Sequence, residues 1–176
     1  MLVLGILEHG PMSGYDIGQT LLMTDAERWS GVLIGSIYHA LKKMEQEGHI
    51  KIASIEQTGH RQKAIYEITD QGRAYLKSLV SETITGSNVA YPSSLYAALS
   101  FYQQLPREEC IQALENHKNT LKQEFEAMKH GLEAKNKAMN NNVPPMVHLM
   151  MDHMLNVISQ QQSFVQKAID LLDSEN

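Results

Sequence analysis

The residues from Ile111 to Met139 repeat apolar side chains at alternating spacings of three and four, and this repeat restricts the fold more than any other feature. The spacing is typical of a long helix whose one face contacts a neighbouring helix, as in a coiled coil. Pro106 lies where such a helix would begin, and Asn140–Asn142 lie where it would end. The sequence therefore predicts a long helix with an apolar seam. Its apolar positions are Ile111, Leu114, Leu121, Phe125, Met128, Leu132 and Met139, and Lys118 and Lys135 interrupt them.

The segment after Pro145 predicts a second long helix with two adjacent apolar stripes. A helix with so wide an apolar face needs more than one neighbour, so we expect a second subunit to cover part of it. A closed monomeric bundle is the alternative. The residues expected in a dimer interface are Ile111, Leu114, Leu121, Phe125, Met128, Leu132, Met150, Met154, Val157 and Phe164.

The first 80 residues have a different pattern, which predicts short helices followed by a β-hairpin. Gly10 and Pro11 end a first apolar helix, and Ser13 begins a second one with Asp16 three residues later, in the manner of a capping box. The second helix is expected to end near Thr24. We therefore divide the chain into a domain of residues 1–80, a connector of residues 81–92 and a helical domain of residues 93–176.

A third helix is predicted from Ile34–Ser36 to Glu47, with Gly48 as its C-terminal stop. At 100° per residue, its inner side holds apolar residues and its outer side holds polar and basic ones. The inner residues are Ile37, Ala40, Leu41 and Met44, and the outer ones include Gly35, His39, Lys42, Lys43 and Gln46, with Tyr38 at the border.

Two runs rich in β-branched residues, Ile50–Ile55 and Ala64–Ile68, predict the strands of the hairpin, and Thr69 is expected to cap a further helix. The residues between the runs, 57–63, carry no acidic side chain. Such a loop is suited to contact phosphates.

The net charge of −5, from 20 acidic and 15 basic side chains, taken alone argues against a polyanionic partner. The local distribution changes this interpretation. Residues 39–63 hold five basic and three acidic side chains, a balance of +2 inside the acidic chain. A basic edge is therefore predicted, with modest non-specific attraction to DNA.

Three segments in this order carry specific motifs: Leu4–Leu7 with Gly10–Ile17, then Gly35–Ile50, then Arg61–Gly72. Together they resemble the PadR-type winged helix-turn-helix transcriptional regulators, and the resemblance covers about residues 2–80. Tyr91–Leu99 and Leu105–Glu109 are similar to the long helical C-terminal domain found in one branch of that family.

The resemblance implies a mainly α fold with a small β-hairpin, in which a winged helix-turn-helix domain precedes a long-helix dimerisation domain. It implies that the third helix enters the major groove of double-stranded operator DNA while the wing holds neighbouring phosphates. Proteins of this kind bind pseudo-palindromic sites as two-fold homodimers. The expected DNA-binding residues are Ser36, Tyr38, His39, Lys42, Lys43, Arg61 and Lys63.

The resemblance further implies a repressor that a small effector, such as an aromatic or phenolic compound, releases from DNA. Tyr96, His148 and His153 are the expected effector residues, although side chains of the core and interface would form the same pattern. Three alternatives remain open: an activator, a regulator without a ligand, and a winged domain used only for protein contacts.

An enzyme is the contrasting class, and the sequence gives it little support. His148 and Asp152 lie one helical turn apart and supply only two metal ligands on one face. With no nucleophile motif or phosphate loop, we expect neither catalysis nor a metal or cofactor. The single Cys110 fits a reducing compartment, and no run approaches the ~18 apolar residues of a membrane span. The expectation is a cytoplasmic protein without membrane contact.

Overall fold

The computed structural model describes residues 1–58 and 61–174. The chain divides after Ala90 into two compact units, and each is described by itself. The fold is mainly α-helical with a small antiparallel sheet, as the sequence predicts.

The N-terminal unit contains helices, one 3₁₀ turn and a three-stranded sheet. Its elements in chain order are α1 (Leu2–Leu7), β1 (Met12–Ser13), α2 (Gly14–Met23), α3 (Ala26–Ser30), the 3₁₀ turn (Ile34–Ser36), α4 (Ile37–Gln46), β2 (Ile50–Thr58), β3 (Arg61–Ile68) and α5 (Asp70–Gly86). The strand order is β1-β3-β2, and both pairings are antiparallel.

The sheet is larger than the predicted hairpin. The strands extend to Thr58 and Arg61, so most of the predicted loop of residues 57–63 is paired, with Glu56 opposite Lys63 and Gln57 opposite Gln62. The two-residue strand β1 adds to β3. The prediction of a long loop was wrong because polar side chains were taken as a loop signal, whereas strand pairing uses the backbone. Gly59 and His60 of the predicted loop lie outside the described residues.

Two helical segments also differ from the prediction. The short helix α3 follows Asp25, which has a φ of 53° and reverses the chain after α2. Helix α5 runs to Gly86, six residues into the segment that the sequence suggested as a connector.

The core of the N-terminal unit joins α1, α2, α4 and the sheet. Its buried apolar residues include Leu4, Leu7, Ile17, Leu21, Ile37, Leu41, Ile50 and Ile68. Leu4 and Ile17 are wholly inaccessible to solvent, so each contributes about 2 kcal/mol of hydrophobic stabilisation. This core fixes the inner side of α4 and therefore turns its outer side to solvent.

The C-terminal unit is built on two long helices. Its elements are α6 (Ser93–Leu99), a 3₁₀ turn (Tyr102–Gln104), α7 (Arg107–Ala138) and α8 (Pro145–Ser174). Pro106 directly precedes α7, as its start signal predicts. Asn140 and Asn141 follow the helix and both have a positive φ, in agreement with the predicted stop. The core between the helices contains Cys110, Leu114, Leu121, Ile158, Val165, Ile169 and Leu172.

Candidate nucleic-acid interface

Helix α4 has the two faces that its sequence predicts. Ile37, Leu41 and Met44 are buried, and Ala40 is partly buried against them. The predicted DNA-binding residues on the outer face, Ser36, Tyr38, His39, Lys42 and Lys43, are all exposed. These five side chains lie along the accessible side of α4, which we term the α4 face.

The start of α4 is held by α3. A carboxylate oxygen of Glu27 accepts a hydrogen bond of 2.8 Å from the backbone N–H of Ile34. The Ser36 hydroxyl donates to the carbonyl oxygen of Leu33 at 2.6 Å. Because the hydroxyl proton of Ser36 is used locally, its free lone pairs are what it offers to a ligand.

The end of α4 is held by the first turn of α5. Gly48 has a φ of 76°, as expected of a glycine C-terminal stop. The Thr69 hydroxyl donates to the carbonyl oxygen of Gly48 at 2.7 Å, and the Gln71 amide donates to that of Glu47 at 3.1 Å. Thr69 also accepts from the backbone N–H of Gly72, which confirms it as the cap of α5. The two carbonyls that directly follow α4 are therefore satisfied by side chains at the start of α5.

Tyr38 lies where α4 approaches the N-terminus of α2. Its side chain is 63% exposed, yet a Cβ atom added at Gly14 would lie 2.8 Å from its Cε1. Tyr38 lines a shallow groove together with Tyr15, Lys63 and Tyr66. The groove connects the α4 face to the sheet.

The cations of the α4 face have little compensation from acidic neighbours. The Lys43 ammonium is 3.8 Å from a carboxylate oxygen of Glu47, and both side chains are largely exposed. Such a pair contributes little binding energy and is readily exchanged. Lys42 and His39 line a shallow depression with Lys43, Gln46 and Glu47, so the two cations and the hydrogen-bonding groups are contiguous and share one carboxylate.

The two cations predicted for the wing, Arg61 and Lys63, have different surroundings. Arg61 begins β3, but its side chain lies outside the described part of the chain. The Lys63 ammonium is 3.0 Å from Oδ2 of Asp16. The same oxygen accepts a 2.7 Å hydrogen bond from the Ser13 hydroxyl.

These contacts change the ionisation of the pair. The Ser13 hydroxyl and the Lys63 ammonium hold the pKa of the Asp16 carboxyl below its ordinary value. Asp16 in turn raises the pKa of Lys63. Lys63 is therefore matched by a carboxylate within the protein.

Sequence reasoning missed the residues that position α4. Asp16 was assigned only to the cap of α2, and its contact with Lys63 joins positions far apart in the chain. Glu27 and Gln71 gave no local signal, since each acts on a backbone group of another element.

Two of the predicted dimer residues of α7, Leu114 and Leu121, require a correction. Leu114 and Leu121 are buried inside the chain, and Ile111, Phe125 and Met128 pack against the same core. Leu132 is half-buried. The seam was expected to meet a second subunit, but its buried residues contact α8 of the same chain. A periodic stripe identifies a contact face without identifying its partner.

The predicted dimer residues of α8 have a different position. Met150, Val157 and Phe164 are 44, 40 and 39% exposed, and Met154 is half-buried. Met146, Leu149 and Leu171 are also exposed. We term these exposed apolar residues the outer stripe of α8. The core contacts of α8 use the adjacent stripe, which contains Ile158, Val165, Ile169 and Leu172.

The three predicted effector residues are not brought together. The Tyr96 ring meets the Phe164 ring edge-on, with centroids 5.7 Å apart, and Tyr91 is 6.3 Å from Tyr96. His153 is eleven residues from Phe164 on α8, about 16 Å along the axis, and His148 is farther still. Tyr96 instead contacts Tyr91 and Phe164, and the three rings form an aromatic cluster.

Within residues 1–58 and 61–174, no three His, Cys, Asp or Glu side chains are grouped to hold a metal ion. In the same residues, no helix is both long and apolar enough to span a membrane.

The chain matches known proteins over different lengths. The profile described as the transcriptional regulator PadR-like family matches residues 3–78. The negative transcriptional regulator PadR of Bacillus subtilis (strain 168) is 35% identical over 74 residues, which are 42% of this chain and 40% of that protein. The match thus spans less than half of this curated relative.

Solved structures resemble the chain over nearly its whole length. The crystal structure of Bacillus subtilis PadR in complex with operator DNA gives a TM-score of 0.74 at 22% identity, covering 97% of this chain and 96% of the other. The same protein in complex with p-coumaric acid gives 0.69 at 22% identity, covering 98% and 96%. These similarities establish the winged-helix fold. Residues 3–78 of the N-terminal unit are thus similar to the PadR-like family of transcriptional regulators, and the whole chain shares the fold of the solved PadR structures.

Proposed function

We propose that the chain is a homodimeric, sequence-specific regulator that binds a pseudo-palindromic operator and represses transcription until a small effector releases it. The observation that carries the proposal is the α4 face. Its polar and basic side chains are exposed on a helix that is anchored at both ends by Glu27, Thr69 and Gln71. A rigid element improves the accuracy of base contacts because less ordering is required on binding.

The chemistry of the α4 face suits the major groove. Lys42 and Lys43 can donate to guanine acceptors or to phosphates, and His39 to either. The exposed Tyr38 hydroxyl is suited to the sugar-phosphate backbone, and Ser36 to a donor group through its free lone pairs. Arg61 is assigned to the phosphates beside the wing. A related fold bound to operator DNA supports this assignment.

The outer stripe of α8 supports a homodimer. Exposed apolar residues recur along its whole length, from Met146 to Leu171. A surface of this kind is stabilised by contact with another apolar surface, and a second copy of the chain supplies an identical one. A two-fold dimer would present two α4 helices to two half-sites.

The aromatic cluster of Tyr91, Tyr96 and Phe164 supports the effector. Flat apolar rings with phenolic hydroxyls bind an aromatic acid through stacking and hydrogen bonds. The structure of Bacillus subtilis PadR with p-coumaric acid supports this class of ligand. Since Phe164 belongs to the outer stripe, a ligand at the cluster would contact residues that also serve dimerisation, and it would act by favouring one dimer geometry.

The DNA-binding proposal is tested by footprinting on the DNA upstream of the protein's own gene, followed by salt titrations of binding to the protected duplex. Replacing Lys42 and Lys43 by alanine should weaken binding and reduce the slope of log K against log salt by about 0.9 for each phosphate that the variant no longer neutralises. Lys77→Ala on α5 is the control, because it removes an exposed cation of the same unit outside the α4 face. An unchanged slope in the double variant would reject the α4 face, and binding without any salt dependence would favour a protein-contact module.

The effector proposal is tested by thermal shift with phenolic acids on the wild type and on Tyr96→Ala. We expect stabilisation of the wild type by p-coumaric acid or a similar acid and its loss in the variant. His153→Ala should respond as the wild type does, since His153 lies about 16 Å along α8 from the cluster. Equal responses of wild type and Tyr96→Ala would remove the cluster from the proposal.

A further inference from the structure

Asp16 connects the N-terminus of α2 to the wing strand β3. Its Oδ2 is 3.0 Å from the Lys63 ammonium and 2.7 Å from the Ser13 hydroxyl that donates to it. The backbone N–H of Asp16 also donates to the Ser13 hydroxyl oxygen at 3.2 Å. The carboxylate therefore has a fixed orientation before the lysine contributes.

The sheet determines where this carboxylate lies relative to the wing. Ser13 is 2% exposed and belongs to β1, where it pairs with Ile65 of β3. Lys63 and Ile65 are two residues apart on β3, so their side chains lie on the same face of the strand. Backbone pairing and capping thus hold the Asp16 carboxylate beside the strand position from which the Lys63 side chain reaches it.

The surroundings of Lys63 are more acidic than those expected of a phosphate-binding lysine. Asp16 contacts its ammonium, and Glu56 stands opposite Lys63 in the strand pairing. Lys63 also lines the groove shared with Tyr38, so the compensated charge lies directly beside the α4 face. A phosphate that bound here would have to displace Asp16 and would meet its negative charge.

We propose that Asp16 is a positioning and specificity-determining residue for DNA binding: it holds Lys63 on the protein, which subtracts one cation from non-specific attraction and fixes the wing beside the α4 face. The inference rests on the proposed function. It also replaces the sequence-based assignment of Lys63 as a phosphate contact.

This new assignment of Lys63 has a measurable consequence, because phosphate contacts determine the salt dependence of binding. Each neutralised phosphate adds about 0.9 to the steepness of log K against log salt. A lysine held by Asp16 adds nothing, whereas a released lysine adds one contact. Between 50 and 200 mM salt, one such contact changes affinity by about threefold.

The first measurement needs no DNA. The Asp16 carboxyl is titrated by NMR in the wild type and in Lys63→Met, which keeps the length and apolar character of the stem. We expect the pKa of Asp16 to move toward its ordinary value in the variant. An identical titration in the two proteins would mean that the pair does not form in solution, and the inference would fail whatever the DNA measurements gave.

The second measurement compares salt titrations of the wild type, Asp16→Asn, Lys63→Met and the double variant on operator and on scrambled duplex. Lys63→Met should keep the wild-type slope. Asp16→Asn should steepen the slope on scrambled duplex by about 0.9, and the double variant should return to the slope of Lys63→Met. The ratio of operator to scrambled affinity at one salt concentration should fall in Asp16→Asn, because the released lysine adds a phosphate contact that does not depend on sequence.

Glu82→Gln on α5 is the matched control, since it removes the same charge at an exposed position outside the wing. If it steepens the slope as Asp16→Asn does, general charge rather than release of Lys63 is responsible and the inference is overturned. A flatter slope in Lys63→Met would also overturn it, by showing a phosphate contact, and would leave the proposed function intact. Absence of salt-dependent binding in every protein would reject the proposed function instead.

Discussion

Gly72 illustrates how one residue fixes the support of the α4 face. A Cβ atom at this position would lie 1.9 Å from the carbonyl oxygen of His49. That carbonyl also accepts a hydrogen bond of 3.1 Å from the backbone N–H of Thr69. The first turn of α5 can therefore approach the end of α4 only because position 72 has no side chain.

Gly72→Ala is expected to lower the free energy of unfolding by about 3 kcal/mol, because the methyl group would force α5 away from a backbone atom that cannot yield. Gly5→Ala in α1 is the control. A Cβ there meets nothing within 4 Å, so the alanine should be neutral or stabilise the helix by about 0.5–1 kcal/mol. Urea denaturation of the two variants measures both values. Equal stabilities would contradict the role assigned to Gly72.

The ionisation of Asp16 gives a stability that depends on pH. Its pKa is lowered on folding, so the folded state binds the proton less well than the unfolded chain. The stabilisation is therefore present above the unfolded pKa, near 4, and is lost as the pH falls through the folded value. We expect the melting temperature of the wild type to fall more steeply below about pH 4 than that of Asp16→Asn. Parallel pH profiles of the two proteins would mean that the pKa of Asp16 does not change on folding.

At the scale of elements, sequence periodicity predicted internal faces better than it predicted partners. The inner and outer sides of α4 were predicted correctly, since burial of Ile37 and Leu41 follows from helical spacing alone. The extent of β3 was not predicted correctly, because its polar first residues pair through their backbone with the neighbouring strand. The contact of Asp16 with Lys63 was missed for the same reason, as it depends on strand pairing that no local pattern records.

Arg107 joins the two long helices of the C-terminal unit. Its guanidinium donates to the carbonyl oxygens of Leu172 and Asp173, both at 2.7 Å, at the end of α8. The last carbonyls of any helix lack intrahelical donors, and a cation beside them is favourable. Arg107 therefore caps α8 from the first turn of α7.

Arg107→Ala is expected to lower the stability of the C-terminal unit by about 1–2 kcal/mol, because it removes two charge-assisted hydrogen bonds. Arg107→Lys should lie between the alanine variant and the wild type, since it keeps the charge without the planar fork. Thermal unfolding followed by circular dichroism measures the difference, with the exposed Lys122→Ala on α7 as control. A loss in the control as large as that in Arg107→Ala would contradict the capping role.

At the scale of the whole molecule, the apolar residues of α8 form two stripes with different surroundings. Its inner stripe fills the core with α7, and its outer stripe is exposed in the single chain. The sequence predicted both stripes and the need for two neighbours. It assigned Leu114 and Leu121 to the dimer because a seam on α7 has the same spacing whether it meets α8 or another subunit.

This division gives opposite outcomes for two charged substitutions. Phe164→Glu puts a carboxylate in the outer stripe, where dimerisation would bury it without a partner. We expect a monomer by light scattering with unchanged helical circular dichroism. Leu121→Glu puts the same charge in the core, where Leu121 is 8% exposed, and should instead lose helical signal. Ser163→Glu is the matched control, because its exposed side chain points about 100° away from Phe164 around α8. It should keep both the dimer mass and the fold. A dimer that persists in Phe164→Glu would move the subunit contact away from the outer stripe.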